Sequence, residues 1–322
     1  MKSERNKTID MGIEEGKHYL QRCLRLKKAA TLEEVRDKTL IGNCFEILPL
    51  LPPAFVDLLI VDPPYNLDKN FNGKQFRRSS EEVYEKYTES WIEAVKPLLK
   101  KTATIYVCCD WQSSTVIAGV LKRHFHIRNR ITWQREKGRG ALSNWKNGME
   151  DIWFATNSGS YVFNVNEVKL RRKVVAPYKI DGVPKDWQET GEGNFRDTFP
   201  SNFWDDISVP YWSMKENTKH PTQKPEKLLA KLILASSNPG DLVLDPFSGS
   251  GSTPVSAKKL GRHYVGIEIN EQYCVWAEKR LEMAKSDPSI QGYTEGVFWE
   301  RNTSAVQKRA KSLKVNETAE EI

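Results

Sequence analysis

Short apolar runs alternate with helix-forming stretches along most of the chain, and this alternation limits the possible folds more than any other feature. The apolar runs, which we interpret as strands, cover residues 56–61, 104–109, 131–133, 152–155, 241–245 and 263–267. The helix-forming stretches cover residues 81–99, 114–121, 226–235, 253–260 and 271–284. Strands that alternate with helices form a mostly parallel sheet covered on both faces. We therefore expect a doubly wound α/β fold, whose ligands bind at the carboxyl ends of the strands.

Composition excludes several other classes of protein. The 322 residues contain no apolar run of the roughly 20 residues that a membrane span requires. The amino terminus lacks the apolar core of a signal peptide. Five scattered cysteines without a C-x-x-C pair indicate neither a disulfide framework nor a zinc site. We expect a cytoplasmic protein with no membrane segment and no bound metal.

A glycine-rich turn follows one strand and opens a helix. It reads Phe247-Ser248-Gly249-Ser250-Gly251, and Glu268 ends the next strand about 20 residues further on. Glycines let the backbone approach a ligand closely, and a carboxylate at that distance can accept hydrogen bonds from ribose hydroxyls. NAD, FAD and S-adenosylmethionine are all bound in this way. Pro254 stands where the full dinucleotide fingerprint has its third glycine, and there is no P-loop lysine. A plain helix-initiating turn remains the alternative.

The sharpest signal is Asp62-Pro63-Pro64-Tyr65, at the end of a buried strand. Two prolines stiffen the chain and remove two backbone donors, and the residue before a proline is held extended. The result is a rigid edge of acceptors, formed by the Asp62 carboxylate and the Pro63 carbonyl, with the aromatic face of Tyr65 beside it. Such an edge suits a planar ligand that carries an exocyclic amino group.

The motifs and their order carry a family resemblance. Asp62-Pro63-Pro64-Tyr65 comes first, then a variable region, then the H-P-T-Q-K-P segment at residues 220–225, then the glycine-rich turn. This order resembles the β group of amino-DNA methyltransferases, which use S-adenosylmethionine. The resemblance covers roughly residues 39–285. It implies a seven-stranded-type methyltransferase sheet with an irregular target-recognition insert.

The resemblance also implies roles for individual residues. Asp62 and the Pro63 carbonyl would accept hydrogen bonds from the target amino nitrogen, Pro64 would stiffen the edge, and Tyr65 would stack on the flipped-out base. The implied contacts to S-adenosylmethionine come from Asn43, Asp62, His220, Thr222, Lys224, Asp245, Phe247, Ser248, Gly249, Gly251 and Glu268. Glu268 would hold the ribose, and His220, Thr222 and Lys224 would contact the methionine end. Asn43 departs from the family, which usually has Asp there; an amide oxygen can still accept a hydrogen bond from the adenine of the cofactor.

The chemistry points to an N-methylated base. The chain has no Pro-Cys pair, which cytosine C5 methylation would use as a nucleophile. In the family, Asp in the first motif position mostly accompanies adenine N6 as the target. We therefore expect a site-specific adenine-N6 DNA methyltransferase from the modification half of a restriction-modification system. The alternatives are a cytosine-N4 or RNA methyltransferase, a dinucleotide-dependent oxidoreductase, and an inert DNA-binding relative.

Duplex DNA is the expected partner, and the positive charge of the chain is concentrated in one segment of the sequence. Residues 111–149 contain eight basic residues and one acidic residue, so this window alone carries the formal net charge of the chain, +7. The predicted phosphate- and base-contacting residues are Arg128, Arg130, Arg135, Lys137, Arg139, Lys146, Lys169, Arg171, Arg172 and Lys173. The choice between a monomer and a homodimer stays open.

We divide the chain into five predicted segments. They are an N-terminal helical arm (1–38), a catalytic half (39–156), a target-recognition region (157–219), a cofactor-binding half (220–285) and a partly disordered C-terminal tail (286–322). The recognition region is rich in aromatic residues with little periodicity. We expect about half of six aromatic residues in this region to form a small core. The six are Trp187, Phe195, Phe203, Trp204, Tyr211 and Trp212.

Overall fold

The computed structural model describes residues 3–67, 69–71, 74–76, 78–135, 143–174, 178–190, 193–303 and 307. The strands, in chain order, are β1 (Lys38–Ile41), β2 (Val56–Val61), β3 (Lys69–Phe71), β4 (Lys74–Phe76), β5 (Leu99–Cys109), β6 (His126–Gln134), β7 (Met149–Thr156), β8 (Leu170–Lys173), β9 (Lys179–Ile180), β10 (Val183–Pro184), β11 (Gln188–Thr190), β12 (Gly193–Thr198), β13 (Phe203–Trp204), β14 (Leu242–Asp245), β15 (His263–Glu268), β16 (Tyr293–Thr294) and β17 (Val297–Trp299). The helices are α1 (Lys17–Leu20), α2 (Leu32–Val35), α3 (Cys44–Ile47), α4 (Glu81–Val95), α5 (Ser114–His124), α6 (Glu226–Ser236), α7 (Ser252–Lys259) and α8 (Glu271–Ser286). None of these described helices combines the length and the apolarity needed to cross a membrane.

The central sheet has eight strands among the described residues, in the order β1-β15-β14-β2-β5-β7-β6-β13. The strands from β1 to β5 in this order are parallel, and β7 alone runs the opposite way, between β5 and β6. This confirms the predicted doubly wound, mostly parallel sheet. The eighth strand, β13, comes from the predicted insert and adds two residues beside β6.

Strand β2 shows why the sheet is covered on both faces. Leu59 and Val61 belong to one core, which includes residues of α4 and α5. Leu58 and Ile60 belong to the other core, which includes residues of α6 and α7. Alternate residues of a strand point to opposite faces, so a strand buried on both faces is apolar throughout. Its polar continuation, Asp62, can therefore begin only where the strand leaves the sheet.

The recognition region is more regular than its sequence suggests. A second, five-stranded sheet has the order β11-β12-β8-β17-β16, so it joins residues 170–198 to residues 293–299. The ring of Phe195 lies 5.6 Å from that of Trp299, and Phe298 is fully buried. Strands of two to six residues without apolar alternation leave little periodic signal, and β8 pairs with β17 across a long stretch of sequence. These are the reasons why neither the regularity nor the pairing was predicted.

Three of the six aromatics singled out in the recognition region are buried, namely Trp187, Phe195 and Trp204, and three are exposed. Phe195 packs with Val297 and Trp299, whereas Trp204 belongs to one of the two cores of the central sheet. About half of the six are therefore buried, but not in one common small core. Of the predicted C-terminal tail (286–322), residues 286–303 are described and contribute β16 and β17 to the second sheet, whereas most residues beyond 303 lie outside the described part of the chain. The N-terminal arm packs on α8, because Ile9 and Tyr19 share an apolar cluster with Tyr273 and Trp276.

Candidate active site

Nearly all the predicted catalytic and cofactor-binding residues line one cavity of about 650 Å³ at the carboxyl edge of the central sheet. The walls include the segments that follow β1, β2, β14 and β15, together with residues 220–224. All the predicted catalytic residues lie on these walls, and so do all the predicted cofactor residues except Gly251. A parallel sheet brings its strand ends to a common edge, which is why motifs far apart in sequence meet here.

Gly251 serves packing instead of lining the cavity. It precedes the first residue of α7 with φ 78°, in the left-handed region that favours glycine. A Cβ atom at this position would lie 2.6 Å from the Cβ of Ala277. The residue therefore allows the start of α7 to pack closely against α8, and this packing positions the glycine-rich turn at the cavity wall.

Gly249 and Glu268 form one corner of the cavity. The Gly249 amide donates to Glu268 Oε2 at 2.8 Å, and the Asn270 amide donates to Oε1 at 2.7 Å. These bonds hold the carboxylate in a fixed orientation at the end of β15. Gly249 has φ 54°, and an added Cβ would approach His220 Nε2 to 3.0 Å. A side chain would thus close the space between the turn and the histidine.

His220 is held by its own segment and by α8. Its Nδ1 accepts a hydrogen bond from the Thr222 amide at 3.3 Å. Its ring lies 4.4 Å from the ring of Tyr273 in an edge-on arrangement. Tyr273 also lines the cavity, and sequence analysis missed it because a tyrosine in an amphipathic helix carries no separate signal.

Asn43, the departure from the family pattern, caps a helix. Its side-chain oxygen accepts a hydrogen bond from the Phe45 amide at 3.2 Å, at the start of α3. An amide oxygen has two lone pairs, so it can accept a second hydrogen bond from a ligand in the cavity.

Asp245 at the end of β14 is buried, and its carboxylate accepts a hydrogen bond from the Phe247 amide at 3.0 Å. Burial raises the pKa of Asp245 to about 7.

A cluster of charged side chains surrounds the Asp-Pro-Pro-Tyr edge. Lys224 Nζ lies 2.8 Å from both oxygens of Asp62 and 3.1 Å from the hydroxyl of Tyr65. The Tyr65 hydroxyl donates to Asp62 Oδ1 at 2.8 Å. Glu150, at the start of β7, lies 3.2 Å from Lys224 Nζ and forms an ion pair with Arg135. We call Asp62, Tyr65, Arg135, Glu150 and Lys224 the catalytic-edge cluster.

The protonation states in this cluster follow from its charges. Burial lowers the pKa of Lys224, but the Asp62 and Glu150 carboxylates more than offset this, so its pKa lies above the usual range. Burial and the same two carboxylates raise the pKa of Tyr65 well above its usual value. Lys224 is therefore an ammonium and Tyr65 a neutral hydroxyl donor. Lys224 is predicted to contact the methionine end of the cofactor. In the structure its ammonium forms an ion pair with the Asp62 carboxylate.

The predicted DNA-contacting residues are spread more widely. Arg135 lies beside the cavity, and exposed Lys146 lies in the connection between β6 and β7, at the same edge of the sheet. Arg128 lies at the opposite edge, where it donates to Thr156 and to the Ser158 carbonyl. Lys137 and Arg139 fall outside the described residues.

Several of the other basic residues have acidic partners. Arg171 forms an ion pair with Asp197 at 2.7 Å, Arg172 lies between Asp205 and Glu300, and Arg130 lies 3.8 Å from Asp151. Lys169 lies over the ring of Phe199, and the amide of exposed Lys173 donates to Glu300. Within the positive window, residues 111–149, Arg123, Arg130 and Arg135 also have acidic partners, which lie on α4 and β7. Phosphate contacts by the predicted DNA-contacting residues stay a prediction.

Together, the fold and the site define an enzyme class: a doubly wound α/β protein whose nucleotide-binding corner opens onto an acceptor edge suited to an amino group. A family model described as DNA methylase, N6_N4_Mtase, matches residues 56–279. The chain belongs to this family. The predicted resemblance to amino-DNA methyltransferases is thereby confirmed.

Individual relatives agree with this assignment. The chain is 34% identical over 250 residues to the DNA adenine methyltransferase YhdJ of Escherichia coli (strain K12), covering 77% of this chain and 83% of YhdJ. It is 33% identical over 250 residues to the type II methyltransferase M.HpaI of Haemophilus parainfluenzae, covering 76% and 74% of the two chains. The solved PvuII DNA methyltransferase (cytosine-N4-specific) superposes with a TM-score of 0.56 at 17% identity, covering 79% of this chain and 86% of that one. At that identity, the superposition shows a common fold.

Proposed function

We propose that this chain is a site-specific DNA methyltransferase, which transfers a methyl group from S-adenosylmethionine to the N6 amino group of an adenine in duplex DNA. One observation carries the proposal. The Asp62–Tyr65 edge and the Gly249–Glu268 corner line the same cavity, so an acceptor edge for an amino group faces a corner built for a nucleotide cofactor. The family match and the relatives named adenine methyltransferase support the same activity.

The residues present fit S-adenosylmethionine. A cavity of about 650 Å³ is of ordinary size for a small ligand. Glu268 offers a fixed carboxylate for ribose hydroxyls, and Asn43 offers an acceptor for an adenine amino group. His220 and Thr222 lie across the glycine-rich turn, where they can hold the methionine end. When bound, S-adenosylmethionine supplies an electrophilic methyl group on a positively charged sulfur.

The catalytic edge prepares the nitrogen for attack. The lone pair of an aromatic amine is delocalised into the ring, so the amine is a poor nucleophile. Hydrogen bonds from its N–H groups to the Asp62 carboxylate and the Pro63 carbonyl favour a tetrahedral nitrogen and localise that pair. The pair forms the new N–CH₃ bond while the S–CH₃ bonding pair returns to sulfur. One N–H proton is then released, ultimately to solvent. The protein contributes positioning and preorganised electrostatics.

The target base has to leave the helix to reach this edge. Unstacking and unpairing a base costs a few kcal/mol, which a stacking partner partly offsets. Tyr65 supplies the aromatic ring at the edge, and its hydroxyl is anchored to Asp62. Adenine is favoured over cytosine by the aspartate at position 62 and by the named activity of YhdJ. Residues 157–219 would read the surrounding sequence.

We place the enzyme in the bacterial cytoplasm, bound to DNA, as the modification partner of a restriction endonuclease. The similarity to the type II methyltransferase M.HpaI supports this setting.

The test is methyl transfer from tritiated S-adenosylmethionine to duplex DNA of varied sequence, followed by nucleoside analysis of the product. We expect the label in N6-methyladenine. Label in N4-methylcytosine would replace adenine as the target, and no transfer to any duplex would contradict the proposal.

A further inference from the structure

Glu150 contacts the catalytic edge although it belongs to no sequence motif. It is 5% exposed and lies at the second position of β7. One carboxylate oxygen faces Lys224 Nζ at 3.2 Å and the Tyr65 hydroxyl at 3.4 Å. The other pairs with Arg135, which directly follows β6. A single buried carboxylate thus touches three members of the catalytic-edge cluster.

The neighbouring acid on the same strand provides a contrast. Asp151 is also buried, but alternate strand residues point to opposite faces. Its carboxylate accepts hydrogen bonds from the hydroxyls of Ser114 and Thr132, both at 2.9 Å. Asp151 therefore ties α5 and β6 to β7 on the other face of the sheet. Two adjacent buried acids have separate surroundings, and only Glu150 faces the reacting groups.

Charge balance shows what Glu150 contributes. Asp62 and Glu150 carry two negative charges, and Lys224 and Arg135 carry two positive ones, so the cluster is neutral as a whole. Methyl transfer moves positive charge from the sulfonium sulfur to the amino nitrogen, which lies against Asp62 in the proposed reaction. Without Glu150 the cluster would have a net charge of +1 where positive charge develops. Fixed charges in a site that excludes water act strongly on such a step.

We propose that Glu150 is a positioning residue for methyl transfer, which holds Lys224 and Tyr65 against Asp62 and keeps the catalytic edge neutral as the nitrogen becomes cationic. This inference rests on the proposed function. Its geometric basis is that Lys224 bridges the two carboxylates. The ammonium is thereby placed so that Asp62 keeps its orientation, and the Tyr65 ring keeps its place beside the base.

The experiment compares Glu150→Gln with Asp151→Asn. Both changes remove one buried negative charge from adjacent positions, and both keep a side chain of nearly the same shape. For Glu150→Gln we expect kcat to fall by about 10²-fold, with the melting temperature and the Kd for S-adenosylmethionine near those of the wild type. For Asp151→Asn we expect a lower melting temperature and a near wild-type kcat in the folded enzyme.

A pH profile separates positioning from simple support of the fold. The charged and titratable groups that face Lys224 are Asp62, Tyr65, Cys108 and Glu150. Burial lowers the pKa of Lys224 and the two carboxylates raise it, so loss of one carboxylate lets burial act more strongly. The alkaline limb of the kcat profile should therefore move to lower pH in Glu150→Gln. Glu150→Asp, which restores the charge, should recover part of the rate and return the limb toward its original position.

The outcomes distinguish this inference from the proposed function. If the wild-type enzyme transfers no methyl group to DNA, the proposed function fails. If the wild type is active and Glu150→Gln keeps its kcat, the positioning role is refuted. It is also refuted if Glu150→Gln lowers the melting temperature and weakens cofactor binding together with the rate, because that pattern indicates a structural role only.

Discussion

Two buried clusters of lysines and carboxylates include residues close to the start of α6. In one cluster a single lysine meets two carboxylates, and in the other two lysines share one carboxylate. Before α6, Lys224 meets two carboxylates, Asp62 and Glu150. Inside α6, Lys227 and Lys231 share a single carboxylate, Asp206, each at 2.7 Å. We call this second set the anchoring cluster.

The difference in proportion changes the protonation behaviour. Two carboxylates overcome the burial of Lys224, and its pKa is raised. One carboxylate cannot offset the burial of two ammonium groups, so burial lowers the pKa of Lys227 and brings that of Lys231 to about 8. The lesson is that a buried lysine is not functional by itself. Its partners, and whether they face a cavity, decide what it does.

The anchoring cluster does not line the candidate active-site cavity, and it joins three parts of the chain. Lys227 Nζ donates to the Asp206 carbonyl, in the recognition region, and to the Trp299 carbonyl in β17. The cluster therefore fastens the second sheet to α6 of the main domain. We expect changes in the catalytic-edge cluster to affect rate, and changes in the anchoring cluster to affect stability.

The largest effect should come from Asp62→Ala. This change removes the acceptor that localises the nitrogen lone pair, so we expect methyl transfer to fall by about 10³-fold or more. Cofactor binding should stay measurable, because the Gly249–Glu268 corner is untouched. Initial rates with tritiated S-adenosylmethionine and calorimetric titration of the cofactor check both points. Retained activity would refute the assigned role of Asp62.

Asp206→Asn should have the next largest effect, on stability. It leaves two buried ammonium groups without a counter-charge, and breaking a buried ion pair in this way costs about 3–5 kcal/mol. Urea unfolding monitored by circular dichroism measures the change in free energy. The rate per folded molecule should stay near wild type. A large loss of rate at unchanged stability would reverse the roles given to the two clusters.

Lys231→Met should cost little at neutral pH, roughly 1 kcal/mol or less, because Lys227 and Asp206 remain as a balanced pair. Its pH dependence is more telling. With a folded pKa of about 8 against 10.5 in the unfolded chain, Lys231 binds fewer protons in the folded state between these values. The stability that it contributes therefore rises with pH across that interval. Urea unfolding at pH 7.5 and pH 10 should show this rise in the wild type and a smaller one in the variant. An equal rise in both would contradict the assignment.

The smallest effect concerns surface charge. Exposed Lys146 lies in the connection between β6 and β7, at the carboxyl edge of the central sheet, whereas Arg171 is paired with Asp197. Loss of one phosphate contact reduces the slope of log Kd against log salt by about 0.9. We expect this from Lys146→Gln and a smaller change from Arg171→Gln, measured by fluorescence anisotropy with duplex DNA. The reverse order would show that the paired arginine meets the phosphates.

How far the sequence predicts this molecule depends on how local each signal is. The strand that ends at Asp62 and the turn at Gly249 were predicted because the apolar run, the prolines and the glycines are contiguous. The pairing of β8 with β17 was not, because a four-residue and a three-residue strand that far apart leave no pattern. Glu150 was missed for a related reason. Its neighbours in space, Lys224 and Tyr65, are distant in sequence, and one acid at a strand end has no motif around it.

The most direct test of the account is a single-turnover measurement of N6-methyladenine formation by the wild type, Lys224→Met and Lys231→Met. Both variants replace a buried lysine with an unbranched apolar side chain, at positions seven residues apart. We predict that the wild type forms N6-methyladenine, that Lys224→Met is at least about 10²-fold slower while still folded, and that Lys231→Met keeps the wild-type rate constant. Absence of N6-methyladenine in the wild type, or equal rate losses in the two variants, would contradict the account.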